Sequence, residues 1–166
     1  MTITLYSHKQ VYLRTRSVYT ELKKQLNVYK QIKVIEEIGS SAIEGAISKG
    51  DLDIAVYVEE TDFQEVCGRL MLQYERNDME GYKNFESFKG MRNGVDFGIQ
   101  LCTFGWDHFR FLEFKKIMQT SPSWVESYNK LKYQASTLAE DEYRSKKHEF
   151  IESVLQRSDS IDHSDH

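Results

Sequence analysis

The stretch "IGSSAIEGAISKGDLDIAVYV" (residues 38–58) sets a Gly-Ser-Ser turn ahead of an apolar run that carries two aspartates one residue apart. From Leu52 the run alternates, with Leu52, Ile54, Val56 and Val58 on one face of a strand and Asp51, Asp53, Ala55 and Tyr57 on the other. Asp is disfavoured in strands because its short side chain competes for backbone hydrogen bonds, and two carboxylates on one face repel. The pair therefore calls for a cation.

A third acid follows the same pattern. In "VDFGIQL" (residues 95–101), Val95, Phe97, Ile99 and Leu101 alternate with Asp96, Gly98 and Gln100. If this strand pairs beside the first, Asp51, Asp53 and Asp96 collect on one open sheet face. A one-residue slip in register would turn an acid to the other side. Hard ions such as Mg²⁺ or Mn²⁺ take oxygen ligands, and two of them about 3.5 to 4 Å apart activate an attacking oxygen and stabilise a leaving one. Asp51, Asp53 and Asp96 are thus the candidate metal ligands and catalytic acids; Asp51 also fits a turn residue whose carboxylate bonds its own backbone.

Gly39, Ser40 and Ser41 supply the complementary half. A glycine before a helix N-terminus lets backbone N–H groups approach a phosphate, and the helix dipole favours its charge. "SAIE" has the capping-box form, with Ser41 as cap and Glu44 three residues on. Lys49 is a further candidate phosphate contact, and equally fits a solvated loop lysine.

Outward from this core, spacing predicts a helix near residues 6–29, a strand at 32–38, a helix at 61–72 capped by Thr61, and strands in "LQYERND" and "YKNFESFKG" around a turn at 79–81. An "RNG" turn opens the Asp96 strand. Residues 106–157 read as two or three helices broken near Ser121-Pro122. The polar tail, 158–166, is expected to be disordered. His163 and His166 in it are weak metal candidates, and His108 and His148 fit surface helix positions.

With 40% hydrophobic and 13% aromatic residues the 166-residue chain can bury one core, and its mean hydropathy of -0.59 fits a water-soluble protein. No apolar run is long enough to span a bilayer, and residues 1–16 lack a signal-peptide core, so a cytoplasmic protein is expected. Cys67 and Cys102 are too few for a disulfide framework or zinc site and fit reduced core thiols. A net charge of -4 predicts no general attraction to nucleic acid.

The series "GSSAIEGAISKGDLDIAV" followed by "VDF" resembles the Gly-Ser, Asp-x-Asp and later Asp pattern of the DNA polymerase beta-like nucleotidyltransferase superfamily. Within it, Ile38 to Ser41, Gly45 and Lys49 are similar to the GrpB family. In the helical half Phe114, Pro122, Tyr128 and Lys132, then Tyr143, Lys147, Phe150 and Ile151, also match. Two positions depart from that family: Glu37 stands where a histidine is expected, and Gly50-Asp51 where proline and an apolar residue are usual. Tyr128, Lys132, Tyr143 and Lys147 lie at helical spacings that packing explains, although their basic groups are suited to line a cleft.

The resemblance implies one α/β (α+β) domain over residues 1–157: a nucleotidyltransferase-like mixed sheet of about five strands, helices on one face, and a helical C-terminal half closing a cleft. It implies Mg²⁺-dependent transfer of a nucleotidyl group from a nucleoside triphosphate, ATP first, to an unidentified acceptor. Asp51 and Asp53 would hold metals at the triphosphate, Asp96 the catalytic metal and acceptor, and Gly39, Ser40, Ser41 and Lys49 the phosphates. A module of the same scaffold that binds nucleotide or protein without turnover is the alternative.

Overall fold

The computed structural model describes residues 2–77, 82–105 and 109–164, with side chains as far as residue 161. Helix α1 (His8–Asn27) starts at a capping box, in which the Ser7 hydroxyl accepts from the Gln10 N–H and the Gln10 side chain accepts from the Ser7 N–H. Its buried stripe, Val11, Thr15, Val18, Leu22 and Leu26, has the three-and-four spacing of one helix face. Strand β1 (Val34–Ile38), a short 3-10 turn (Ser40–Ala42) and β2 (Leu52–Val58) follow. Next come α2 (Phe63–Met71), β3 (Glu75–Arg76), β4 (Phe85–Arg92) and β5 (Val95–Thr103). The helical half is α3 (Phe111–Thr120), α4 (Pro122–Ala135) and α5 (Glu140–Ser164).

The sheet has the order β1-β2-β5-β4-β3; β2 and β5 are parallel and the other pairs antiparallel. The β4–β5 hairpin turns on Asn93 and Gly94, at φ 52° and 74°, the left-handed pair that a two-residue turn needs to match strand twist. One sheet face carries Leu52, Ile54, Val56, Phe97, Ile99 and Leu101 and is buried under Val18, Leu22 and Leu26 of α1 and Val66 and Leu70 of α2. On the other, Ala55, Tyr57, Phe85 and Cys102 are covered by Phe109, Phe111 and Leu112. The C-terminal helices have their own core around Phe114, Met118, Tyr128 and Val154, into which Ile43 and Ala46 insert from the loop after β1. Asn129 of α4 fastens that loop, accepting from the Ile47 N–H at 2.9 Å and donating to the Gly45 carbonyl at 2.8 Å.

Several local expectations give way. The Ser41 capping box does not form, because Gly39, at φ 71°, caps a three-residue turn and the Ser41 hydroxyl is drawn to Glu37. Thr61 lies within a 3-10 turn (Glu60–Asp62), so Asp62 takes the cap position of α2. Among the described residues of the strand expected at 72–78, only Glu75 and Arg76 pair. Helix α5 continues to Ser164 where disorder was expected after 157, and Arg110 ties it down by gripping Asp159 at 3.0 and 2.7 Å. The turn at 79–81, Trp106 and His108, and the side chains of His163 and His166, lie outside the described residues. Among the described residues no helix is long and apolar enough to cross a membrane, and Cys67 and Cys102 are buried thiols outside any disulfide.

Candidate active site

Parallel pairing of β2 with β5 sets Asp53 opposite Gly98. Asp96, two residues earlier on β5, therefore shares the Asp53 face, as does Asp51 by alternation. The Asp53 carboxylate is seated between two glycines: a Cβ at Gly39 would stand 2.9 Å from Oδ2 and one at Gly98 2.9 Å from Oδ1. Among the described residues no group hydrogen-bonds this carboxylate. Burial and then the charge of Asp51 push its pKa up to about 7, against the opposing pull of Lys147 and Lys49.

The three acids share a face without closing into one cluster. Among the described residues no three His, Cys, Asp or Glu side chains are grouped to hold an ion. Asp96 is exposed at the start of β5, and it is not among the charges that shift Asp53. The donor set nevertheless fits Mg²⁺, which takes one or two protein carboxylates and completes its shell with phosphate and water oxygens. Asp53, unbonded and cleared by glycine on both sides, and Asp51 are the residues that would hold it.

Between the sheet and the C-terminal helices lies a cavity of about 260 Å³. Gly39, Ser40, Lys49, Asp51 and Asp53 line its sheet side, and Tyr128, Lys132, Tyr143 and Lys147 its helical side; Phe109, Phe111 and Phe114 form an aromatic wall. Lys132 is 1% exposed and lies 4.0 Å from the centre of the Tyr128 ring. Its ammonium donates to the Ser40 hydroxyl and, at 2.6 Å, to the Ile47 carbonyl. Burial and then the Lys147 charge hold its pKa well below the usual lysine range, only partly offset by Asp51. For Lys147 burial acts in the same direction, but Tyr128, Asp51, Tyr143 and Asp53 outweigh it and the pKa rises. Among the described residues, a buried lysine with no carboxylate partner and a half-buried carboxylate with no hydrogen bond thus face one cavity, a common mark of functional sites.

Behind the Gly-Ser turn a second network fixes its position. Glu37 pairs with Arg16 and accepts from the Ser41 hydroxyl at 3.0 Å. Arg16 in turn lies over the rings of Tyr12 and Tyr19. Lys115 donates to the Glu37 carbonyl at 2.7 Å and pairs with Glu36 at 2.9 Å. The Ser41 side chain is therefore committed to Glu37 and turned from the cavity, whereas Ser40 faces it. Glu37, in place of the expected histidine, supplies a charge for Arg16. Glu37→Gln should destabilise the fold by about 2 kcal/mol, since it strips Arg16 of its partner in a half-buried setting. Urea unfolding checks this, and an unchanged midpoint would remove the anchoring role.

A second, open groove of about 670 Å³ meets the cavity at Asp53. Lys49, Asp51, Asp53 and Gln100 line both, and Asp96 lines the groove alone. Lys49 is 4.0 Å from Glu140, placed between the two spaces. Sequence reasoning did not single out Phe109, Phe111 or Gln100; the aromatic density of "FRFLEF" was the available signal for the first two. Lys132 and Lys147 were visible as residues, but their burial against the Gly-Ser turn depends on how α4 and α5 pack.

A GrpB protein family model matches residues 3–157. A UPF0157 protein of Vibrio cholerae is 33% identical over 123 residues, 73% of this chain and 65% of that protein, so the match spans less than two thirds of the relative. The fold is similar to the crystal structure of the conserved protein GrpB from Enterococcus faecalis, with a TM-score of 0.71 and 17% identity over 93% of this chain and 99% of that one. It is also similar to the Cid1 poly(U) polymerase solved with MgGTP, with a TM-score of 0.54 and 12% identity over 81% of this chain and 44% of the other. The architecture is nucleotidyltransferase-like, and the chain belongs to the GrpB family.

Proposed function

We propose that this protein is a Mg²⁺-dependent nucleotidyltransferase that takes a nucleoside triphosphate, ATP first, into the lysine-aromatic cavity and passes its nucleotidyl group to a hydroxyl in the open groove. The observation that carries this is the seat of Asp53, a carboxylate cleared by two glycines at the junction of the two spaces. Lys132 and Lys147 neutralise the outer phosphates, Ser40 donates to them, and the aromatic wall packs against the base. Asp51 and Asp53 hold the metal; Asp96 orients the acceptor hydroxyl and accepts its proton. Bound Mg²⁺ supplies Lewis-acid stabilisation of charge on the phosphate oxygens. The acceptor oxygen bonds the α-phosphorus as the bond to the β-phosphate oxygen breaks, and pyrophosphate leaves. A cytoplasmic setting agrees with the buried thiols of Cys67 and Cys102.

Incubation with each α-labelled nucleoside triphosphate, Mg²⁺ or Mn²⁺ and cell extract should release pyrophosphate and label an acceptor. One observation favours the alternative of a silent binding module: Asp96 stands apart at the exposed start of β5. Metal-dependent nucleotide binding with no pyrophosphate release under any combination would decide for that module.

A further inference from the structure

Lys49 and Asp51, which line both the cavity and the groove, are carried by an irregular loop, and loops are ordinarily more mobile than the elements they join. This loop is bonded from three directions. From α4, Asn129 holds the Gly45 carbonyl and the Ile47 N–H, and Lys132 holds the Ile47 carbonyl. From the other side, residues 3–6 cross it as a strap. The Tyr6 N–H donates to the Ser48 carbonyl at 2.7 Å, and the Tyr6 carbonyl accepts from the Ser48 N–H at 3.0 Å. The strap is itself tied to the end of α4, where the Ile3 N–H donates to the Ser136 carbonyl at 2.8 Å. The third hold is internal: the Ser48 hydroxyl accepts from the Gly50 N–H at 3.0 Å.

Gly50 has φ 101°, a bend that other residues adopt only under strain, and the Tyr6 ring lies 3.7 Å from where a Cβ on it would stand. Ser48, 3% exposed, closes that bend from inside. A side-chain oxygen that accepts from the N–H two residues on is a turn device that Asp and Asn also supply. Sequence left Asp51 free to play such a turn role. Here Ser48 fills it, and among the described residues the Asp51 carboxylate makes no hydrogen bond, so the bend is held without it. We propose that Ser48 and Tyr6 are positioning residues, which hold Lys49 and Asp51 at the junction of cavity and groove in the geometry that a metal-bound triphosphate needs. The triphosphate half rests on the nucleotidyl-transfer reading; the metal half is testable without it. A loop clamped in this way spares the ligand the entropy of ordering it. By reciprocity, whatever factor the clamp adds to the affinity, the ligand adds to the closure of the clamp.

The test uses the full chain and two probes: Mn²⁺ alone, read by its electron-spin resonance signal, and Mg²⁺ with ATP, read by calorimetry. Ser48→Ala removes the acceptor of the bend, and Tyr6→Pro removes the donor of the strap. Each should weaken both probes about tenfold, the size of a lost buried hydrogen bond, while Glu65→Ala on α2 should not. Ser48→Thr keeps the hydroxyl and should restore most of the affinity. In the wild type, amide hydrogen exchange at Tyr6 and Ser48 should slow by about the same factor when either probe saturates, a response that a loop with a purely structural role would not give. This exchange needs no variant, so it decides even if Tyr6→Pro does not fold. Binding that is unchanged in Ser48→Ala and Tyr6→Pro, or exchange at both amides that ignores the probes, overturns the proposal and leaves the nucleotidyl-transfer reading standing. Mn²⁺ binding that follows the clamp, with no response to ATP, upholds the clamp and sinks that reading. A wild type that binds neither probe sinks both.

Discussion

Asp53→Asn should make the ligand-free protein more stable at pH 8 by the order of 3 kcal/mol, a melting rise of roughly 6 to 12 °C for a chain of this size. The sign follows from the raised pKa. Asp53 titrates near 7 in the folded protein against an ordinary 3.8, so between those values the folded state holds a proton that the unfolded state has released. Its contribution is fully favourable below pH 4 and is lost as pH rises through 7, at about 1.4 kcal/mol per pH unit. The asparagine variant removes that loss, so the gain should be small at pH 4 and level off above pH 7. The ligand response should move oppositely. For wild type, Mg²⁺ and nucleotide at about a hundred times Kd add roughly 2.7 kcal/mol, and the variant should forfeit most of it. Melting curves from pH 4 to 9, with and without Mg²⁺ and ATP, check both halves. A destabilised apo variant with an intact ligand shift would mean that Asp53 serves a structural turn and holds no metal.

The placement of Asp53 was legible because period-2 alternation in two segments fixes which residues share a face, and the β2–β5 register brings those faces together. Gly39 was legible too, since a glycine between an apolar strand and a small-residue turn is suited to positive φ, and it has φ 71°. Other features depend on contacts between elements distant in sequence. Whether Ser41 caps a helix was decided by Glu37, four residues back, whose carboxylate is held by Arg16 of α1 and outcompetes the turn for the hydroxyl. The polarity of 158–166 suggested disorder, but the grip of Arg110 on Asp159 across 49 residues extends α5. Strand alternation likewise placed Asp96 on the right face without saying how far along β5 it stands from Asp53. For Lys132 and Lys147, helical spacing fits a solvated face as well as a buried one; only the packing of α4 against the Gly-Ser loop separates the two.

Lys132→Met should leave the ligand-free fold within about 1 kcal/mol of wild type, or more stable, yet weaken triphosphate binding 30- to 100-fold. Methionine fills a similar volume and removes a charge that burial and Lys147 both oppose. Against that gain stand the bonds to the Ser40 hydroxyl and the Ile47 carbonyl, of the order of 1 kcal/mol each. For a lysine with a lowered pKa the unfolded state binds the extra proton, so the wild-type penalty is present at neutral pH and relieved toward pH 10.5, the ordinary lysine value. The difference between variant and wild type should therefore shrink as pH rises, opposite to the trend for Asp53→Asn. Binding should suffer because a phosphate restores the balance that burial denies the ammonium, as a metal would for Asp53. Together the two shifts predict that Mg²⁺-triphosphate binding expels a proton at Asp53 and draws one onto Lys132. Calorimetry in buffers of different ionisation enthalpy measures the net exchange: Asp53→Asn should move it toward uptake near pH 7, and Lys132→Met toward release at a pH between the lowered lysine pKa and the ordinary 10.5. Equal exchange in all three proteins would show that neither group meets the ligand, and an apo Lys132→Met protein that unfolds far more easily would make the lysine a structural pin.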